Sequence, residues 1–299
     1  IMKLKNICLI ILIITSSIGF SQEINFTFNP PDTTYREILT TKKVTIVNGK
    51  KQKEDEIKVT TKYDIKKVPT GYELKQSPLA ISSKRDGKMF HNPIFMFLTN
   101  IPTKGEIDKQ GNLIHVIGYE HIIPRAQAEL PKEVVESMML VANEEAMINK
   151  AKAEWNARIS EFSSNTFYLG DILSAQGKFP LPNGEVLTFF SVIKIADTLE
   201  FMGNKCIKIT FHNSSSPEEL ASILGYSQDD IKNVFDVNAN SDISTQIKLS
   251  GDGYRIIDPK TMLIYEEKTF RCVEMKDEQI GNESKIITTL ETKEYEYQY

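Results

Sequence analysis

The sequence predicts an α+β protein: a predominantly antiparallel, strongly curved sheet or open barrel, with one long central helix over about residues 131–162 packed on it and two short helices over about 217–236. Three observations carry this expectation. Several long stretches alternate apolar and polar residues with period two, the mark of strands with one buried face. The stretch 131–162 instead repeats its apolar residues at spacings of three and four, the mark of a helical stripe. Strands also follow strands without the strand–helix–strand rhythm of a parallel sheet.

The chain has 299 residues, of which 40% are hydrophobic and 25% charged, the balance of a folded protein rather than a disordered one. Its opening, Met2 to Ser21, has two lysines, an apolar run from Ile7 to Ile14, and then small and polar residues. This is the layout of a secretory leader, with cleavage expected after Ser21 or Gly19. The apolar run is well short of a membrane span, and Cys8 sits inside it rather than after it, which disfavours lipidation. The expected organisation is a leader over 1–21 and a single β-rich domain over 22–299, exported to the periplasm, the outer-membrane surface or the medium.

From Tyr35 to Val47 the chain is rich in Thr, Val and Ile, and Asn48-Gly49 suits a tight hairpin turn into Ile57 to Lys66, where the alternation is clearest. Pro69-Thr70-Gly71 turns the chain again into Tyr72 to Ser83. Residues 89–101 are apolar and aromatic without a period, a segment suited to covering the open side of the sheet. A hairpin around Lys109 to Asn112 follows, and Leu113, Ile114, Val116 and Ile117 read as a strand buried on both faces. In the helical stretch, Ile148, Ala151, Trp155, Ile159 and Phe162 form one stripe, while Asn143-Glu144-Glu145 disturbs the phase and predicts a kink or two successive helices. Strands resume at 186–196 and 206–211. Ser216-Pro217 and Ser227 open the two short helices. Gly251-Asp252-Gly253 reads as a bend or bulge before Tyr254. The last strand, ending in Tyr295, Tyr297 and Tyr299 alternating with acids, reads as an edge strand with an exposed tyrosine row.

Composition and motifs exclude more than they assign. Formal charge is −4, with lysines and acids interspersed, so no basic stripe is present to neutralise nucleic-acid phosphates. Beyond the leader no apolar run approaches a bilayer span, so the processed chain is not expected to be an integral membrane protein. His115 and His121 lack the spacing of a helical zinc pair and a marked third ligand. There is no Gly-x-Ser-x-Gly elbow, and neither Cys206 nor Cys272 has a setting that activates a thiol. Adjacent acidic pairs on helices point in different directions. No catalytic residue, cofactor or metal is therefore expected. Cys206 and Cys272 admit two readings: a disulfide closing a 65-residue loop, worth about 4 kcal/mol on the chain-entropy model, or two small buried hydrophobes.

The features from Tyr35 to Tyr119, Gly170-Asp171, the Phe201 to Cys206 turn and the Gly251 to Met262 hairpin resemble uncharacterised secreted proteins of Gram-negative bacteria. The plan of a curved antiparallel sheet with a helix on one side is similar to the periplasmic lipoprotein-carrier fold. That resemblance concerns the fold alone; the aromatic segment 89–101 and the methionines of the helical stretch lead to the expectation of a non-enzymatic protein holding an apolar small molecule, such as a lipid or acyl chain. Phe90, Phe95, Phe97, Met138, Met139, Met147 and Trp155 are the candidate lining. The alternative is a cell-envelope interaction module with a filled core that meets another protein through edge strands and exposed tyrosines. An enzyme built on convergent carboxylates is the third and least supported reading.

Overall fold

The computed structural model describes residues 22–91, 93, 96–97, 100–139, 144–180, 186–216, 247–277 and 283–298. The expected leader (1–21), the two short helices (217–236) and Phe95 lie outside the described residues.

Fourteen strands and three helices are described. β1 (Glu23–Asn25), β2 (Thr33–Val47), β3 (Lys50–Val68), β4 (Gly71–Arg85), β5 (Lys88–Met89), β6 (Thr103–Asp108) and β7 (Leu113–Ile117) precede the helices α1 (Ile122–Glu129), α2 (Lys132–Met139) and α3 (Glu144–Arg158). β8 (Thr166–Tyr168), β9 (Ile172–Pro180), β10 (Val186–Phe201), β11 (Asn204–Ser214), β12 (Ile247–Ile257), β13 (Ile264–Asp277) and β14 (Glu283–Gln298) follow. One antiparallel sheet runs in the order β7-β6-β4-β3-β2-β14-β13-β12-β11-β10-β9, with β5 paired to β4. Its two edge strands are not paired with each other, so the sheet is open and not a closed barrel.

Two meanders make up this sheet, and they meet where the last strand lies antiparallel to the first long one, from Lys285 opposite Val47 to Gln298 opposite Thr34. β14 is therefore central, not an edge. Tyr295 is 6% exposed and its hydroxyl bonds Arg158. Of the expected exposed tyrosine row, Tyr295 and Tyr297 face inward and Tyr299 lies outside the described residues; Tyr35 stacks on Tyr63 at 5.0 Å and lies 5.0 Å from Tyr297. The alternation with acids correctly marks one buried face, but it is silent on which strands lie beside it.

The long helix expected over 131–162 is two described helices, α2 and α3, with residues 140–143 outside the described residues. A further helix, α1, precedes them and ends at Leu130, whose extended backbone (φ −119, ψ 152) separates it from α2. α3 docks on the β6–β7 turn: Trp155 Nε1 donates to the Gly111 carbonyl at 2.8 Å, and Ser160 Oγ donates to the same oxygen at 3.2 Å. Gly111 is required there, because its φ is +92° and a Cβ would meet the Phe28 ring at 2.9 Å. Beyond α3, Phe162 joins Phe26 and Phe167 in an aromatic cluster with centroids 5.7 to 5.9 Å apart. The alternating Ile24, Phe26 and Phe28, preceding the first strand expected from the sequence, bury fully and cap this core.

Other local expectations divide. Asn48-Gly49 forms the expected turn with φ of 50° and 74°, as does Met202-Gly203 with 50° and 78°, and Asp86-Gly87 adds a turn of the same kind beyond those expected. β7 is an edge strand with Ile114 and Ile117 exposed, not a strand buried on both faces. Gly251 and Gly253 stand in regular register with β11 and β13, with no bulge between them. Their function is clearance: a Cβ on Gly253 would lie 2.3 Å from the Phe211 ring, which covers the strand at that point.

No disulfide joins Cys206 and Cys272. Cys272 pairs with Ser250, Ser250 pairs with Ser214, and Cys206 lies eight residues further along β11. At about 3.3 Å per residue this separates the cysteines by roughly 25 Å, far beyond the reach of about 7 Å between Cα atoms that a bridge allows. Cys206 is fully buried, and burial, with Asp258 nearby, pushes its thiol up to about 11.

Two measurements check this description. Protein lacking residues 1–21 titrates two thiols in denaturant without reductant, and in the native state Cys272 reacts well ahead of Cys206; a chain with no titratable thiol contradicts the register of β11 to β13. Met202 is 73% exposed and held at φ 50°. Met202→Asn, which tolerates that backbone, is expected to stabilise by about 1 kcal/mol, raising the melting temperature by about 2 °C.

Candidate functional site

The register places the helix-facing side chains in rows that cross the strands. Tyr63, Tyr35 and Tyr297 form one row on β3, β2 and β14, and Thr61, Glu37 and Tyr295 form the next. The row after that crosses eight strands, from β4 to β10: Ile81, Val59, Leu39, Lys293, Glu267, Arg255, Ile209 and Ile195. It is apolar at both ends and charged in the middle.

The charged middle is a buried ion cluster. Arg255 Nε donates to Glu267 Oε2 at 2.7 Å, and Lys293 Nζ lies 3.3 Å from Glu267 Oε1. Arg158, the last residue of α3, reaches down with Nε 3.4 Å from Glu267 Oε2 and Nη2 3.6 Å from Glu37 Oε2, and it donates to the Tyr295 hydroxyl. Arg255 Nη1 donates at 3.1 Å to the Arg158 carbonyl, placing a cation at the helix C-terminus, where the macrodipole favours it. Three cations thus share two carboxylates. Arg158 Nε is buried and has no hydrogen-bond acceptor in bonding geometry.

Burial alone would push the Glu267 carboxyl up. The guanidiniums of Arg158 and Arg255 and the ammonium of Lys293 outweigh it and hold that carboxyl well below the usual carboxylate range. Arg158 likewise stays charged against burial, because Tyr295, Glu267 and Glu37 surround it. Burial raises the hydroxyls of Tyr35, Tyr63 and Tyr295, so these remain neutral, with that of Tyr295 accepting from Arg158.

Between this cluster, the apolar end of the row and α3 lies a cleft of about 690 Å³. Its floor is Leu39, Ile57 and Val59, one side is Lys293 and Glu291 on β14, and the other is α3 through Lys150, Glu154 and Arg158. A smaller hollow of about 180 Å³ shares Tyr63, Gln76, Tyr119 and Glu154 with it and runs inward to Leu74, Leu113 and Trp155. This space explains why the expected α3 stripe is incompletely covered: Ile148, Ala151 and Trp155 are half-buried, whereas Ile159, past the helix end, is fully buried.

The candidate lining residues separate. Trp155 borders the inner hollow. Phe97 and Met138 are buried in a compact cluster with Ile101, Ile122, Ala126 and Val135, and Met147 packs against it. Phe97 also borders a separate hollow of about 400 Å³ beside Leu79 and Ile81. Met139 is exposed, and Phe90 lies half-buried beneath the Arg85 guanidinium, 3.7 Å from its ring centroid. Among the described residues no three His, Cys, Asp or Glu side chains are grouped to hold a metal ion.

No model of a known protein family matches the chain, and no curated protein is detectably similar to it. Solved structures give a distant likeness. One is a crystal structure of a protein from Parabacteroides distasonis, provisionally named a lipoprotein, at 10% identity with 93% of this chain and 100% of that chain covered. The TM-score is 0.23, too loose a superposition to assign a fold or a function. No described helix is long and apolar enough to cross a membrane.

Sequence reasoning passed over Glu37, Arg158, Arg255, Glu267 and Lys293. A signal was present in phase: Lys293 falls on the same face as Tyr295 and Tyr297, so an inward tyrosine row places a charge in the core two residues before Tyr295.

Glu267→Ala leaves three cations gathered without their shared carboxylate and is expected to cost about 3 to 5 kcal/mol, read by denaturant unfolding. The pH dependence follows from a folded-state pKa below the unfolded one. The Glu267 contribution is fully present above the ordinary glutamate range of about 4 to 5 and is lost as pH falls through and below it. Stability therefore drops on acidification, and Glu267→Gln flattens that drop; an unchanged slope contradicts the pairing.

Proposed function

We propose that the protein binds a small amphipathic ligand in the cleft between β2, β3, β14 and α3, as a non-enzymatic carrier or receptor of the cell envelope. The observation that carries this reading is the cleft: about 690 Å³ over a floor of Leu39, Ile57 and Val59, beside a wall of fixed charges. Small-molecule sites have this size and this combination of apolar surface with a few placed polar groups. A sheet covered by a helix ordinarily fills the space between them with side chains. Here Arg158 and Trp155 anchor α3 to the sheet and to the β6–β7 turn, and the space beside them stays open.

The expected protein-interaction surface loses its main support, since Tyr295 is buried and β14 is central. The apolar-ligand reading gains a location different from the one the methionines suggested. The ligand lies over β2 and β3, not among Met138 and Met147, which pack into their own cluster.

An uncharged fluorescent probe, N-phenyl-1-naphthylamine, is expected to bind the chain with micromolar affinity. Val59→Trp, which fills the floor, is expected to weaken binding by about tenfold or more, with circular dichroism confirming the fold. Equal binding by both proteins places the probe elsewhere and overturns the reading.

A further inference from the structure

We infer that the ligand of this cleft carries a zwitterionic head group, an anion such as a phosphodiester followed by an ammonium, with its apolar chain over Val59 and Leu39. The inference rests on the cleft reading above and adds the class of ligand. It comes from the order of charges along β14. Lys293 stands in the same row as Leu39 and Val59, at the point where the apolar floor ends. Its ammonium has three donors and meets one carboxylate oxygen, Glu267 Oε1, at 3.3 Å. That carboxylate is already engaged by Arg255 and faced by Arg158, and in this cluster three cations meet two carboxylates. An anion entering from the cleft therefore finds one surplus positive charge, on a side chain that borders the cavity.

Glu291 decides the second half of the head group. It is two residues along the same face, one row beyond Lys293 on the side away from Tyr295, opposite Thr41 on β2 and Thr269 on β13. Among the described residues no cation lies within ion-pairing distance of it. Its position, about 6.6 Å along the strand from Lys293, suits an ammonium joined to the phosphate by an ethanolamine- or choline-sized spacer. A bare anion would meet repulsion from Glu291, and a neutral head would leave Glu291 without a cation and Lys293 with Glu267 alone. On the helix side, Lys150 and Glu154 face each other at 3.9 Å and add no net charge.

Three twelve-carbon compounds, each below its micelle concentration, separate the alternatives by displacement of N-phenyl-1-naphthylamine: dodecylphosphocholine, dodecyl phosphate and monolauroylglycerol. The expected order places dodecylphosphocholine about tenfold tighter than each of the others. In Lys293→Met the ratio of its affinity to that of monolauroylglycerol falls to about one. In Glu291→Gln, a milder change that keeps the ion cluster intact, the advantage over dodecyl phosphate disappears. If none of the three binds, the cleft reading itself fails. If dodecylphosphocholine and monolauroylglycerol bind equally to the parent protein, the cleft reading stands and the head-group inference is overturned. If dodecyl phosphate binds as tightly as dodecylphosphocholine, the role given to Glu291 is overturned.

Discussion

The pairing of β14 with β2 is the contact on which the rest of the sheet depends. Every other neighbouring pair in the long sheet joins strands that follow one another along the described chain or are separated by the short β5 segment. Only β14 and β2 bring residues near the two ends together, in an unbroken register from Val47 and Lys285 to Thr34 and Gln298. Closing so long a loop costs conformational entropy before any contact forms. The return is correspondingly large, because one pairing converts two separate meanders into a single surface.

Arg158 holds that junction from above. It belongs to the helix, yet it touches Glu37 on β2, Tyr295 on β14 and Glu267 on β13, the three strands that flank the join. Gathering charges under a helix is expensive, and an apolar cluster of similar volume is often as stable. The ions contribute direction instead. A guanidinium with fixed partners sets where the C-terminus of α3 sits, and Trp155 sets its approach to the β6–β7 turn. With both points fixed, the helix does not settle fully onto Leu39, Ile57 and Val59, and the open cleft follows from that geometry.

Much of the local architecture was legible in the chain. Ile57 to Ile65 alternates, and the structure buries Val59 and Ile65 on that phase; Asn48-Gly49 turns the chain where its tolerance of positive φ predicts. The kink expected at Asn143 to Glu145 borders residues 140–143, which lie outside the described residues, and helix is described on either side of them, over Lys132–Met139 and Glu144–Arg158. The methionines and aromatics suggested an apolar site less accurately. Met138 has the composition of a lining residue and the environment of a core residue, because helices α1 and α2 pack on each other and on Phe97.

The sequence by itself determined which residues share a face, where the chain turns, and that strands dominate over helix. These are local properties, fixed by backbone sterics and by the two side-chain periods. Only the tertiary structure decided that the final strand is central, that Cys206 and Cys272 lie at distant points of two strands separated by β12, and that Lys293, Glu267 and Arg255 fall in one row beneath Arg158. The reason is physical. Alternation records burial on one face, whereas the neighbour of a strand is chosen by pairing between segments far apart in the chain, for which a single strand's own pattern carries no record.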